Sequence, residues 1–475
     1  HLKKKGQHKK RSITMKKIII ILLLFVFNTS VAKADIASGF EDNTNFKNKE
    51  DEFNLWLRDN GHKQYLNFEP RKICKDEAKG SNVWYINKCN EFEGSNNLKI
   101  KFYKDRWQVR PNAEPNRDTL IYYLWKTINH PYTGQFHTYD IKPSKNPFEF
   151  KKDLRTDESV KAELKESAIL SYLRFEGDKI VIDEMSPKER LGEFIDDSTK
   201  FRSNSVGKSM IGLLAGHAVC GGYIDSIDSK LNDWPMIQNT LYHNQKLIDL
   251  LNMNTGDHKI VTDVAMWNGE SNDDENLAYY MVMMKDKKGS KPKYNYHGLL
   301  PNVVFNYIKY KTGDQFEKFL EDVFQKHIKI KNSVIFFKHR DMPDEGRANS
   351  MFYADRYDYL RIAKSIMDDY QNDTCVGKYF KDLHERRIKK KTTSEFRDPP
   401  YNPSKAYAGY FHMEYKGIED RVVFGMSGYG GVSILIAPET STITVINSLH
   451  YSGKKKSKFR YDERLLSITP IKDAI

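Results

Sequence analysis

The sequence predicts a mixed α/β (α+β) fold: an antiparallel sheet flanked by helices, with a helical subdomain inserted between its first and last strands. Three observations predict it. Two strand-like runs, Ala168 to Phe175 and Lys179 to Glu184, flank Glu176-Gly177-Asp178, a hairpin turn signal. A block with helical periodicity follows. Then Val422 to Gly425, Val432 to Ala437 and Thr442 to Asn447 return to β-branched and apolar runs, with Pro438-Glu439 turning between the last two.

The chain has 475 residues, enough for two or three domains' worth of core. Met15, Lys16-Lys17, the apolar run Ile18 to Phe27 and Ala32-Lys33-Ala34 match a secretory signal peptide with a small-x-small cleavage site. The apolar run is too short to cross a bilayer core of about 30 Å. The expectation is therefore upstream residues and leader over 1–34, a mature chain from near Asp35, a periplasmic or secreted location and no stable membrane anchor after cleavage. Residues 35–150 read as an N-terminal accessory region. Within it Phe53 to Leu57 reads as a short helix, Leu98 to Val109 and Leu120 to Ile128 as strands, and Pro131 to Pro147 as a linker. Residues 151–475 form the main domain, with the helical subdomain at about 241–395 and helices expected over 300–325 and 350–370.

Charge excludes one function class. The formal net charge is +13, but nine of the 77 Lys and Arg lie in residues 1–34, which hold no acid. The remainder carries 68 basic against 64 acidic residues, a net of +4, so nucleic-acid binding loses its main support. Lys389-Lys390-Lys391 and Lys454-Lys455-Lys456 read as solvated surface. Four cysteines allow three connectivities. The pairing expected is Cys74–Cys89, closing a short loop, with Cys220–Cys375 tying distant segments. The alternative leaves Cys220 as a small buried apolar side chain.

Ser205-Val206-Gly207-Lys208 carries the chemistry. As Gly207-Lys208-Ser209 it could end a phosphate-binding loop, but Arg202 stands where that loop needs its first glycine. As Ser-x-x-Lys it places a nucleophile and a lysine on one helix face. Val206, Met210, Leu213, Leu214 and Ala218 recur at helical period and predict one buried face. Ser203 or Asn204 could cap the helix and Gly221-Gly222 end it. Ser205 then sits in the first turn, where the helix dipole favours developing negative charge.

These residues, with Gly222-Tyr223-Ile224 and Asp228 further on, resemble the serine β-lactamase-like superfamily. That group includes class C β-lactamases, DD-peptidases, family VIII esterases and 6-aminohexanoate-dimer hydrolases. Other landmarks follow in the family's order. Leu250-Leu251-Asn252-Met253-Asn254-Thr255-Gly256 resembles its "LL-x-M-x-S-G" turn. Tyr294-Asn295-Tyr296, followed by Val303-Val304, resembles the segment with the catalytic tyrosine. Gly425-Met426-Ser427-Gly428-Tyr429-Gly430-Gly431 resembles the third motif, on a strand lining the cleft. Lys311-Thr312-Gly313 spells a third-motif tripeptide, but it ends a helical run, with Gly313 as C-cap.

The resemblance implies a β-lactamase/transpeptidase-like fold and acyl transfer. Ser205 would be the nucleophile, and Lys208 and Tyr296 the groups that move its proton. The backbone N–H groups of Ser205 and Tyr429 would form the oxyanion hole. Met426, Ser427, Gly428 and Gly430 would contact substrate. Met426 replaces the family's usual Lys or His, and Gly298 its frequent Asn, which favours an ester or small linear amide over a β-lactam or cell-wall stem. A β-lactamase or DD-peptidase, and a catalytically silent ligand-binding relative, are the alternatives. His297 reads as a rim residue and His217 as a packed histidine. No His/Cys/Asp spacing argues for a metal, and no cofactor is implied.

Overall fold

The computed structural model describes residues 138–449, apart from 167–168, 190, 262–276, 339–345, 391–403, 416–417, 419 and 429–431, with the backbone of three short strands upstream and Leu124. The strands are β1 (Arg71–Lys72), β2 (Cys89–Glu93), β3 (Lys99–Tyr103), β4 (Thr138–Ile141), β5 (Lys151–Lys152), β6 (Ile169–Glu176), β7 (Lys179–Met185) and β8 (Phe201–Arg202). After them come β9 (Val334–Lys338), β10 (Gly346–Ala354), β11 (Ile388–Lys389), β12 (Ser404–Ala408), β13 (Phe411–Tyr415), β14 (Phe424–Gly428), β15 (Val432–Ala437) and β16 (Thr442–Ser448). The helices that position the site are α1 (Glu158–Glu166), α2 (Val206–Cys220), α3 (Leu247–Leu251), α4 (Leu277–Met283), α5 (Leu299–Thr312), α6 (Phe316–Glu321), α7 (Arg356–Gln371) and α8 (Cys375–Glu385).

A nine-stranded sheet runs β11-β12-β13-β14-β15-β16-β6-β7-β5. Its neighbours are antiparallel except β5, which pairs with β7 in parallel. The hairpin at Gly177 forms as predicted, with Glu176 opposite Lys179. Gly177 takes φ +63°, the left-handed geometry a two-residue turn needs. β15 and β16 are buried along their whole length. Both sheet faces are covered there, so even the polar Ser433, Thr444 and Asn447 are buried. On one face Val160 and Leu164 of α1 pack with Tyr172, Val181 and Ile446. On the other lie α7 and α2, within the main core.

A second sheet, β4-β9-β10-β8, is antiparallel. It revises two expectations. The stretch read as a linker contains β4, which pairs with β9. The helix expected over 350–370 starts only at Arg356, because Asp355 caps it by accepting a hydrogen bond from Asp358 N at 2.8 Å. The residues before it are strand β10. Leu124 is helical, where the aromatic run predicts a strand. Gly313 does end α5, with φ +55°. The leader, Phe53 to Leu57 and the Cys74–Cys89 pairing lie outside the described residues.

Helix α2 differs from an amphipathic surface helix: its residues are buried nearly all round. A helix apolar on every side runs through a core. Gly212 makes this possible, since a Cβ there would stand 2.0 Å from the Gly409 carbonyl oxygen. The far end is tied by the Cys220–Cys375 disulfide to the start of α8, closing a separation of 155 residues. Among the described residues no helix is long and apolar enough to cross a membrane.

Candidate active site

Ser205 is placed by a sharp strand-to-helix turn. β8 pairs with the end of β10, Arg202 opposite Tyr353. Ser203 extends that pairing, donating its N–H to Phe352 O at 2.8 Å. Its hydroxyl accepts from Phe352 N at 3.2 Å, so Ser203 fastens the turn to β10 and does not cap the helix. Asn204 then takes φ +46°. Asn is among the few non-glycine residues that tolerate that region. The Ser203, Asn204 and Ser205 carbonyl oxygens accept from Val206, Gly207 and Lys208 N–H at 3.1, 2.9 and 3.1 Å. Ser205 is the helix N-cap residue, yet its hydroxyl makes no capping bond. The hydroxyl faces Lys208 instead.

Lys208 Nζ donates to Ser205 Oγ at 3.0 Å. The lysine is buried, and its Nζ lies 5.0 Å from the centroid of the Tyr296 ring. The spacing of three thus brings hydroxyl and amine together, and the fold adds Tyr296 from a segment 88 residues beyond Lys208. Tyr296 packs edge-on against Tyr407, centroids 6.0 Å apart, and tilted against His412 at 6.4 Å.

A buried polar cluster invisible in the sequence stands behind these residues. Lys390 Nζ donates to Ser404 Oγ at 2.7 Å and to His412 Nδ1 at 2.8 Å. Lys390 is buried, which corrects the reading of 389–391 as wholly solvated; Lys389 alone of the described pair is exposed. Burial, then the charges of Lys390 and Lys208, hold the His412 pKa well below 6.5. The unfolded chain binds a proton at His412 below about pH 6.5 and the folded chain does not, so stability falls as pH drops through that value. One such group contributes about 1.4 kcal/mol per pH unit. His412→Gln is expected to flatten the fall in stability between roughly pH 6 and 5 by that amount. Urea midpoints of both proteins check it, and an unchanged slope would place the pH dependence elsewhere.

Asp257 holds the Tyr296 segment. It is fully buried. Its Oδ1 accepts from Asn295 Nδ2 at 3.2 Å, and its Oδ2 from Tyr242 Oη at 3.0 Å. His297 Nε2 lies 2.9 Å from Oδ2. Burial pushes the carboxyl up, but the neighbouring His297 and the hydrogen bonds from His297 and Asn295 leave its pKa below the ordinary value. A carboxylate only accepts, so His297 Nε2 carries the proton. His297 is therefore a buried anchor, not a rim residue. Asp257 grips the residues on both sides of Tyr296 and leaves the tyrosine facing Lys208. The turn before it is fixed by Asn252, whose Oδ1 accepts from Gly409 N at 3.0 Å and whose Nδ2 donates to Arg386 O at 3.1 Å.

The third motif arrives on β14. A Cβ on Gly428 would stand 2.5 Å from Ser203 O and 3.4 Å from Ser205 N, so the strand meets the Ser203–Ser205 turn backbone to backbone. Ser427 is partly exposed, and Met426 is fully buried in the core on the same strand face as Gly428. Met426 can bear on a substrate only through the residues around it. Tyr429 and Gly430 lie outside the described residues. Gly428→Ala is expected to push β14 off the turn, costing about 1–3 kcal/mol in stability by overpacking. Activity should fall about 100-fold, since displacements near 1 Å at a reacting centre cost that much. Thermal unfolding and kcat/KM measured together check both.

No family model and no curated protein matches the chain. Solved structures do. The chain superposes on "Putative 6-aminohexanoate-dimer hydrolase from Bacillus anthracis" with a TM-score of 0.57 and 13% identity, over 74% of this chain and 94% of that one. It superposes on a "putative beta-lactamase from Bacteroides dorei DSM 17855" with a TM-score of 0.50 and 14% identity, over 66% of this chain and 96% of that one. At such identities the likeness is one of fold. The fold is a mixed α/β one with antiparallel sheets and helices. It is the fold these two solved structures share.

Proposed function

We propose that this chain is an exported serine hydrolase that cleaves esters or small linear amides through an acyl-enzyme on Ser205. The observation that carries the reading is the 3.0 Å approach of Lys208 Nζ to Ser205 Oγ, at a helix start abutted by Gly428. Ser205 Oγ attacks the substrate carbonyl as its proton passes to the Lys208–Tyr296 pair. Which of the two is the formal base belongs to the pair, because coupled groups titrate together. The developing oxyanion sits against the backbone N–H groups of Ser205 and Tyr429. Tyr296 returns the proton to the leaving group, and water then attacks the acyl carbon by the reverse route. No cofactor is called for.

Fold likeness to the Bacillus anthracis protein, whose name gives a linear amide as substrate, supports the amide side of this reading. Met426, an apolar side chain behind the site, supports it against substrates that need a cation for their carboxylate. The signal-peptide pattern supports export, as does the Cys220–Cys375 disulfide, a bond that persists in oxidising compartments. Three substrates test the proposal: p-nitrophenyl butyrate, a 6-aminohexanoate dimer and a fluorescent penicillin. Turnover of either of the first two with little penicillin label is expected. Stable penicillin labelling at Ser205 without ester or amide turnover would favour a penicillin-binding role, and inertness to all three a silent binder.

A further inference from the structure

We propose that His217, His327 and Asp369 form a binding site for a divalent transition-metal ion of the zinc type, at the opposite end of α2 from Ser205. One ring nitrogen of each histidine and one Asp369 oxygen lie within 4.8 Å of one another. They come from three elements. His217 is in the last turn of α2. Asp369 lies near the end of α7. His327 is on a π-helical segment, Asp322–Ile328, that follows α6. Such widened turns are uncommon and occur often at functional sites.

The pairwise contacts do not account for all three groups. His327 Nε2 and Asp369 Oδ2 are 2.7 Å apart, a complete hydrogen bond by themselves. Asp369 is buried, and its other oxygen accepts from Thr374 Oγ1 at 2.7 Å. His217 adds a third donor set. Its ring stands edge-on to the His327 ring, centroids 4.7 Å apart, and its Nε2 is buried with no hydrogen-bond partner among the described residues. An orphaned buried ring nitrogen costs free energy, which an ion would recover.

Two imidazoles and one carboxylate suit zinc with water in a fourth position. In a tetrahedral zinc shell neighbouring donor atoms stand about 3.4 Å apart, so His327 and Asp369 need to separate only slightly. The His327 Nε2 proton then moves to Nδ1 and the freed lone pair meets the ion. Thr374 would hold the Asp369 carboxylate in register, as outer hydrogen bonds do at metal sites. A pocket of about 330 Å³ bordered by His217, Tyr223 and Phe319 gives an ion a way in. Beside the Cys220–Cys375 disulfide, the ion would brace the base of the helix that carries the nucleophile.

The test uses the full chain, stripped with EDTA, desalted and titrated with Zn²⁺ and, separately, Co²⁺. The expected result is one ion per chain, visible absorption bands with cobalt that zinc removes, and a raised melting temperature. His327→Gln and His217→Gln should each weaken binding by more than the roughly 100-fold that loss of an outer partner costs. His327 is partly exposed, so its variant should fold, which circular dichroism verifies. Ser205→Ala should bind zinc as the parent does, which separates this site from the hydrolase reading. No bound zinc in the parent, or equal binding in both folded histidine variants, would overturn the proposal.

Discussion

Ser205→Ala is expected to abolish turnover of p-nitrophenyl butyrate, with a loss on the order of a million-fold where the parent is fully active. The size follows from the geometry. Lys208 Nζ has Ser205 Oγ as its neighbour at 3.0 Å. Without that oxygen there is no atom to form the acyl-enzyme, whatever the state of the amine. Stability should barely change, because Ser205 is only partly buried and its hydroxyl caps nothing. Lys208→Ala should lose nearly as much activity without additional loss in the double variant, since groups that act as a unit are not additive. Steady-state rates of the two single variants and the double variant check this. Retained activity in Ser205→Ala would move the nucleophile elsewhere.

Asp257→Ala is expected to have the largest structural effect, about 3–5 kcal/mol, because it removes one partner of a fully buried charged network. His297, Tyr242 and Asn295 would each be left facing a void with a donor and no acceptor. Each such orphan costs about 1–3 kcal/mol, though the costs are not additive. Asp257→Asn keeps the volume and one accepting oxygen, so it should fold. It cannot accept from all three donors at once, and Tyr296 should shift relative to Lys208. The expected signature is a smaller drop in stability with a large drop in kcat. Urea unfolding and kinetics on the Asn variant separate the two effects. A stable Asn variant with unaltered kcat would remove Asp257 from the positioning of Tyr296.

Local features of the site were legible in the sequence. A spacing of three on a helix suffices to predict that Ser205 and Lys208 meet. The strand period around Gly428, and the turn signals at Gly177 and Gly313, are likewise properties of a few adjacent residues. What was not legible depends on the fold bringing distant residues together. His412, on β13, and Lys390, just after β11, join the Tyr296 cluster from segments that no motif connects to Ser205. Strand alternation places His297 opposite Tyr296, and this much is compatible with the structure. It cannot say that the opposite side is a buried pocket containing Asp257. The helix α2 pattern predicts one apolar face, yet its remaining face is covered too, by backbone approaching small residues such as Gly212. A strand-to-helix boundary also escaped the reading at 350–354. A short run such as Met351-Phe352-Tyr353-Ala354 suits either state, and Asp355 decides by capping the next helix.

The central claim is that Ser205 is a nucleophile activated by its neighbours, and it can be measured before any natural substrate is known. The purified chain is incubated with a fluorophosphonate and its intact mass recorded, followed by peptide mapping. One phosphonyl adduct per chain on the peptide containing Ser205, absent in Ser205→Ala and much slower in Lys208→Ala, is the predicted result. A folded chain that takes no adduct, or takes it at another serine, would contradict the account.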